Sequence, residues 1–367
     1  MRLPCGPGED PPRVRSGLLS SAIATDRIIS ATTTPQEEQI NWALRPTEIT
    51  QYVGQQELIE RLRIAIAAAR SRKEPLEHVL LHGPPGLGKT TLANVLAQEM
   101  GTKLIATSGP ALSRGTDLVS ALTRLQQSDI LFIDEIHRLP IAVEEFIYPA
   151  MEDFKIDVTL DSGMAARTVQ VRCKPFTLIG ATTRAGLLSS PLRSRFGIVH
   201  HLRYYTKPEL LAILERSASL LSIPKVDAGS LDLIADRSRG TPRIANRLLR
   251  RVRDYAQVKG NGSVTVAMVT GALKLEGVDA LGLDDLDRSY LKTIGTTYRC
   301  GPVGLEAIAA TMNEDSGTLE DVVEPFLLQI GFLARTRRGR ALTRSGAEHM
   351  GLAYVPVDPD SSVFDGA

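Results

Sequence analysis

The chain has 367 residues, 43% hydrophobic and 23% charged, and its 43 basic side chains against 42 acidic ones leave a net charge of +1. This is the composition of an ordinary soluble globular protein, long enough for two or three domains of the usual ~100–200 residues. Its apolar stretches, such as AIAAA at 65–69, fall short of the ~18 residues that a membrane span needs, and the near-zero charge leaves nucleic acid open as a partner.

Residues 1–25 are rich in Pro, Gly and Ser and are expected to be a disordered extension or the product of a mis-set start, with no signal peptide. Within a first domain at 26–205, short apolar runs alternate with helical patterns from 43 onward: HVLLH (78–82), KLIAT (103–107), DILFID (129–134), FTLIGAT (176–182) and IVHHLRY (198–204). Such runs predict buried parallel strands joined by helices, an α/β domain. Over 206–278 helical periodicity replaces the strand signal, as in PELLAILERSASLL (208–221) and RIANRLLRRVRDYA (243–256), which predicts a small helical domain. Residues 279–355 read as three helices followed by a hairpin, FLART and ALTRS around a basic turn, the order of a winged helix. An acidic tail, 356–367, follows. Cys5, Cys173 and Cys300 have neither C-x-x-C spacing nor a histidine cluster beside them. They fit a reducing compartment better than a zinc site, and the cytoplasm is the expected location.

The chemistry begins after the first predicted strand. GPPGLGKTT (83–91) fits the phosphate-binding pattern G-x-x-x-x-G-K-[ST] and opens a helix. The glycines, Gly83, Gly86 and Gly88, let backbone N–H groups converge on phosphates. Lys89 reaches the terminal phosphate oxygens, Thr90 offers a hydroxyl to Mg²⁺, and Thr91 is a further nucleotide-binding candidate. DILFIDEIHRL (129–139) is an apolar strand that ends in two carboxylates. Asp134 is placed to hold the Mg²⁺ shell, and Glu135 to orient or deprotonate the attacking water. Together they predict ATP hydrolysis and not merely nucleotide binding.

GPPGLGKTT, LFIDEIHRL, LIGATTRAG (178–186), SPLRSRFG (190–197) and RGTPRIANRLLRR (239–251) stand in the order of the Walker A, Walker B, sensor 1, arginine finger and sensor 2 segments of AAA+ ATPases. Within that class the chain resembles the RuvB family of bacterial Holliday-junction motors over roughly 26–350. ALRP (43–46), YVGQ (52–55) and YPAMEDF (148–154) carry the likeness. The resemblance implies a large AAA+ domain, a helical lid and a winged-helix head, assembled as a homohexameric ring on double-stranded DNA. It further implies RuvA as the partner at the junction, RuvC as the resolvase alongside, and a place in recombination, repair and the SOS response to DNA damage.

By this resemblance Thr183 is sensor 1, with Thr182 as the alternative, and Arg243 is sensor 2. Thr241 and Pro242 look like an N-cap and first helical position that aim Arg243 at an anion. Leu44, Arg45 and Tyr205 match positions that frame the nucleoside, and Glu152, Asp153 and Phe154 match a segment near the nucleotide. Arg195, after the fourth strand of such a sheet, falls on the flank of the domain and serves the phosphates of a neighbouring subunit; Arg193 is either a companion or a surface residue. A head-to-tail contact of this kind closes into a ring.

The insertion 155–175 reads as a hairpin, which in the family docks on RuvA. Ile156, Val158 and Leu160 are its candidate apolar teeth, against the plainer reading of a hairpin packed on its own domain. In the winged helix the segment TLEDVVEPFLLQIG (318–331) holds Glu320, Asp321 and Glu324 and no base, so it is expected to repel phosphates. DNA contact then falls to the wing, where Arg335 and Arg340 match the family's DNA-contacting arginines and Arg337 and Arg338 lie between them. Arg337 replaces a proline common in the family and is expected to loosen the turn. Backbone-directed arginines give sequence-independent, salt-sensitive binding. Two other classes compete with a translocating motor: an initiator-type DNA binder that uses ATP only as a switch, and a clamp loader. Glu135 with Arg195 argues against the first, and the basic wing against the second.

Overall fold

Alternation along short parallel strands builds the core of the first domain. In the computed structural model, residues 42–159, 168–227 and 229–354 are described. The α/β part runs α1 (Gln56–Arg72), β1 (Val79–His82), α2 (Lys89–Met100), β2 (Leu104–Ser108), α3 (Gly115–Thr123), β3 (Ile130–Asp134), α4 (Ile141–Asp153), β4 (Lys155–Thr159), β5 (Thr168–Arg172), β6 (Thr177–Thr182), α5 (Ser190–Ser194) and β7 (Ile198–His201). Five strands form one sheet in the order β2-β3-β6-β1-β7, with every pairing parallel. Ile130 and Phe132 enter one buried cluster and Leu131 and Ile133 the other, as successive strand side chains must. Because β6 lies between β1 and β3, the loops that follow these three strands leave the same edge side by side. That is where an open parallel sheet binds its ligands.

The helical part runs α6 (Lys207–Leu220), α7 (Ser230–Asp236), α8 (Pro242–Lys259) and α9 (Val266–Leu275). Helix α6 starts where Thr206 and Glu209 form a reciprocal capping box, which satisfies amide groups that a helix start leaves unpaired. Strand β7 ends earlier than its apolar run suggests. The Leu202 amide still donates to the His82 carbonyl at 2.8 Å, but the chain then turns so that the Tyr205 amide meets the Gly240 carbonyl at 2.8 Å. Leu202, Tyr205, Leu210 and Leu214 belong to the cluster that also holds Leu248, Leu249 and Val252 of α8. The lid thus shares a continuous core with one face of the sheet.

The last part has a core of its own. It comprises α10 (Asp285–Lys292), α11 (Leu305–Met312), a rod α12 made of Ser316–Thr318, Leu319–Val323 and Glu324–Gln329, strands β8 (Leu333–Thr336) and β9 (Gly339–Leu342), and α13 (Arg344–His349). Strands β8 and β9 pair antiparallel about Arg337 and Arg338. Two hydrogen bonds hold the turn that carries Arg337. The Thr336 hydroxyl donates to the Gly339 carbonyl at 2.9 Å and accepts from the Arg338 amide at 3.2 Å. Gly339 is required here, at φ +134°, because a Cβ would sit 2.2 Å from the Val303 carbonyl oxygen.

A buried ion pair ties the winged helix to the lid. Arg239 reaches Asp287, with 3% and 0% of the two side chains exposed, donates through Nε to the Gly282 carbonyl at 2.7 Å and stacks 5.0 Å from the Phe326 ring centroid. Removing one member of such a pair would leave an uncompensated buried charge. Cys173 and Cys300 are both buried and free. Among the described residues no helix is long and apolar enough to cross a membrane. The extension at 1–25, the tail at 356–367 and Cys5 lie outside the described residues.

Candidate functional site

At the edge where the loops after β1, β3 and β6 emerge, a cleft of about 630 Å³ opens between the sheet and the lid. It is lined by Leu44, Arg45, Gly86, Gly88, Lys89, Thr90, Thr91, Asp134, Glu135, Thr183, Tyr205 and Arg243. Twelve positions scattered over 200 residues of sequence therefore share one cavity of small-ligand size. Gly83 stands at its base, where its carbonyl accepts from Lys89 Nζ at 2.8 Å.

The glycine loop hands the chain directly to α2 at Lys89, and the unpaired amides of a helix start favour anions. Lys89 is 8% exposed and also donates to the Pro84 carbonyl at 2.9 Å. Burial pulls its pKa down to about 8, against the opposing pull of Asp134. Burial likewise pushes the Asp134 carboxyl up, while the Glu135 amide and Lys89 counteract it. Both groups lack a full complement of opposite charge, which a phosphate and a cation would provide. Glu135 is held at φ +47°, a region where a non-glycine residue is strained, and its Oε2 accepts from Arg138 Nη1 at 2.9 Å.

The loop after β6 separates the two threonines. Thr182 is 1% exposed; its Oγ1 lies 2.9 Å from His137 Nδ1 and accepts from the Arg184 amide at 2.9 Å. Thr183 is the one that lines the cleft. On the lid side, the Arg243 amide approaches the Gly86 carbonyl at 3.4 Å. Gly86, at φ +79°, leaves the room for this approach, since a Cβ would come within 2.7 Å of Thr241 Cγ2. Thr241 and Pro242 take the N-cap and first helical positions as expected, but the Thr241 side chain does not cap the helix. Its hydroxyl donates to the Arg239 carbonyl at 3.2 Å, so α8 begins on Pro242 without a side-chain cap.

Glu152, Asp153 and Phe154 do not line this cleft. Glu152 stands beside Arg195, with its Oε1 3.0 Å from Arg195 Nε. Phe154 packs on Phe176 with ring centroids 5.9 Å apart. Arg195 donates to the Pro191 carbonyl at 2.7 Å and lies over the Tyr148 ring at 4.4 Å. It too is absent from the cleft lining, and Arg193 beside it is exposed. The nucleotide assignment of 152–154 is therefore corrected for the chain's own cleft: none of the three lines it, and Glu152 stands instead beside Arg195.

Several cleft residues lie outside the set expected from the sequence. Arg216 of α6 donates to the Leu44 carbonyl at 2.8 Å and the Arg45 carbonyl at 3.1 Å, strapping that segment to the lid. Tyr52 meets Tyr205, hydroxyl to hydroxyl, at 3.2 Å. Trp42 stacks under the Arg45 guanidinium at 4.1 Å. Asn246 lines the cleft, and its Oδ1 is buried with no partner among the described residues.

The hairpin forms as expected, with Ile156 opposite Val171 and Val158 opposite Val169. Ile156 is not an exposed tooth: it is 0% exposed and belongs to the core beneath the sheet. Val169, on the same face further out, is 42% exposed. Leu160 lies outside the described residues.

The acidic rod of the winged helix does not stand as a bare repulsive face. Glu324 is completely buried and takes bonds from both family-matched arginines: Arg335 Nε at 2.8 Å and Arg340 Nε at 2.8 Å. Tyr290 also donates to it at 2.6 Å. These donors hold the Glu324 carboxyl below its ordinary value although burial pushes the other way. Arg337 and Arg338 are the exposed pair at the wing tip. Replacing Glu324 with alanine should strand Arg340 and the Tyr290 hydroxyl, destabilising the winged helix by about 3 kcal/mol. Urea unfolding measures this, and a loss below about 1 kcal/mol, the value of an exposed pair, would count against it.

Strand order, P-loop, paired carboxylates, lid and winged helix together define a P-loop AAA+ ATPase with an appended nucleic-acid-binding domain. Residues 44–202 match the Holliday junction DNA helicase RuvB P-loop domain, 205–279 the RuvB AAA lid domain, and 280–351 the RuvB C-terminal winged helix domain. The chain belongs to the RuvB family. It is 56% identical over 313 residues to the Holliday junction branch migration complex subunit RuvB of Desulfosudis oleivorans, a match spanning 85% of this chain and 91% of that one. The RuvB Holliday junction branch migration motor of Thermotoga maritima superposes with a TM-score of 0.77 at 48% identity, over 86% of this chain and 100% of the other. A variant of the same motor gives a TM-score of 0.79, over 85% and 99%.

Proposed function

We propose that the chain is the ATP-hydrolysing subunit of a ring motor that drives branch migration of Holliday junctions. The observation that carries this reading is the joining, in one chain, of a cleft holding Lys89, Asp134, Glu135, Thr183 and Arg243 with a basic-tipped winged helix. Hard oxygen donors, the Thr90 hydroxyl and the Asp134 carboxylate, fit Mg²⁺, which when bound neutralises charge on the terminal phosphates. Lys89 turns from the Gly83 and Pro84 carbonyls to the phosphates of ATP. Leu44, Arg45 and Tyr205 frame the nucleoside with Tyr52 and Arg216. Glu135 leaves Arg138 to orient the attacking water, which Thr183 holds from the other side. Arg243 senses the γ-phosphate from the lid.

Arg195, parked on Tyr148 and Glu152, is suited to a neighbour's phosphates. A homohexamer follows by likeness to the family. The wing arginines Arg335, Arg337, Arg338 and Arg340 bind duplex DNA through its backbone, without sequence preference. The hairpin docks on RuvA through its exposed apolar residues, Val169 among them, RuvC acts on the same junction, and the work is done in the cytoplasm.

Branch migration of a synthetic four-way junction, with and without RuvA and ATP, tests the reading. ATP-dependent migration that RuvA enhances is expected; ATP hydrolysis with no strand exchange under any condition would contradict it. A second test concerns the wing. Substituting Arg335 and Arg340 together by alanine should lower the slope of log K against log salt by about 2, near 0.9 per lost phosphate contact. An unchanged slope would place the DNA contact elsewhere.

A further inference from the structure

Arg184 follows Thr183 directly, yet it does not line the cleft. Its backbone is fixed to the catalytic loops: the amide donates to Thr182 Oγ1, which contacts His137 two residues after Glu135. Its side chain crosses to the winged helix. Nη2 lies 2.9 Å from Glu320 Oε2, and Nε donates to Asp321 Oδ1 at 2.8 Å. The other oxygen of Glu320, Oε1, lies 3.4 Å from Arg340 Nη2 and 3.7 Å from Arg335 Nη2. One carboxylate therefore serves, on its two oxygens, a residue of the nucleotide-site loop and two arginines of the wing.

The contrast with the tie between lid and winged helix gives this contact its meaning. Arg239 and Asp287 are almost wholly buried, whereas Arg184, Glu320 and Asp321 have 32%, 28% and 36% of their side chains exposed. Exposed pairs are weak and exchange partners readily; buried pairs do not. Of these two links made by the winged helix, the Arg184 contact is therefore the more readily broken.

We propose that Arg184 is a positioning residue that couples the wing to the nucleotide site by sharing the charge of Glu320 with Arg335 and Arg340. Duplex DNA draws the two wing arginines towards phosphates and leaves Glu320 to Arg184, which steadies the loop carrying Thr183. By linkage, a nucleotide state that steadies this loop neutralises Glu320 and Asp321 and raises DNA affinity by the same factor. The inference rests on the wing being the DNA contact, and that reading is tested separately by the salt slope above.

The test uses the full-length protein and a fluorescent duplex, with affinity measured in ADP and in a non-hydrolysable ATP analogue. In the wild type the two affinities should differ by roughly fivefold or more. Arg184→Ala should bring the ratio close to one, while the KM for ATP stays within about twofold, since the residue lies outside the cleft lining. The charge exchange Arg184→Glu with Asp321→Arg should restore most of the ratio. A wild-type ratio of one would overturn the proposal, as would a ratio unchanged in Arg184→Ala. So would a loss that the charge exchange fails to repair, because that outcome means the arginine merely supports the loop.

Discussion

Arg195→Ala is expected to cut ATP turnover by about 10³–10⁵-fold, the range over which an arginine finger acts in related phosphoryl transfers. The residue stands on the flank of the sheet, held by Glu152, the Pro191 carbonyl and the Tyr148 ring, and takes no part in lining its own cleft. Its loss should therefore leave nucleotide affinity almost intact in that chain and remove charge stabilisation from the adjacent one. Mixing gives the sharper result. Chains with Arg195→Ala retain Lys89, and chains with Lys89→Ala retain Arg195. Assembled together they should regain a measurable fraction of wild-type turnover, although each alone is inactive. If no mixing ratio recovers activity, the finger does not act between subunits.

Glu135→Gln should lower turnover by about 10²–10⁴-fold, the usual contribution of a positioned general base. The amide keeps the size of the side chain and the hydrogen bond from Arg138, so the strained turn at φ +47° should survive. Affinity for a non-hydrolysable ATP analogue should change little, and in ATP the mutant should remain on DNA. Fluorescence binding together with steady-state hydrolysis decides the matter. Near-normal hydrolysis by Glu135→Gln would remove this residue from the chemistry and leave Asp134 as the better candidate.

The phosphate end of the site was readable from the chain because its parts are local. A buried strand, a glycine loop and a helix in immediate succession leave few conformations for GPPGLGKTT, and Asp134 and Glu135 terminate a strand whose apolar run is unmistakable. Thr183 could not be separated from Thr182 in that way. The choice depends on which hydroxyl finds His137, a residue 45 positions earlier. The nucleoside end was largely hidden for the same reason, since Tyr52, Arg216 and Asn246 belong to elements that meet only when the lid folds over the sheet. Periodicity showed that one face of the inserted hairpin was apolar, but not that the sheet's own core claims its root at Ile156 and leaves Val169 outside. Charge counting along α12 likewise suggested repulsion where folding supplies partners. Glu324 is buried under Arg335 and Arg340, and Glu320 is divided between the wing and Arg184.

The account depends on active sites completed between chains, and per-chain ATP turnover measured across a dilution series, with mass determined at each concentration, tests it most directly. Turnover should be negligible while the protein is monomeric and rise steeply as rings assemble. Undiminished turnover from solitary chains at the lowest concentration would contradict it.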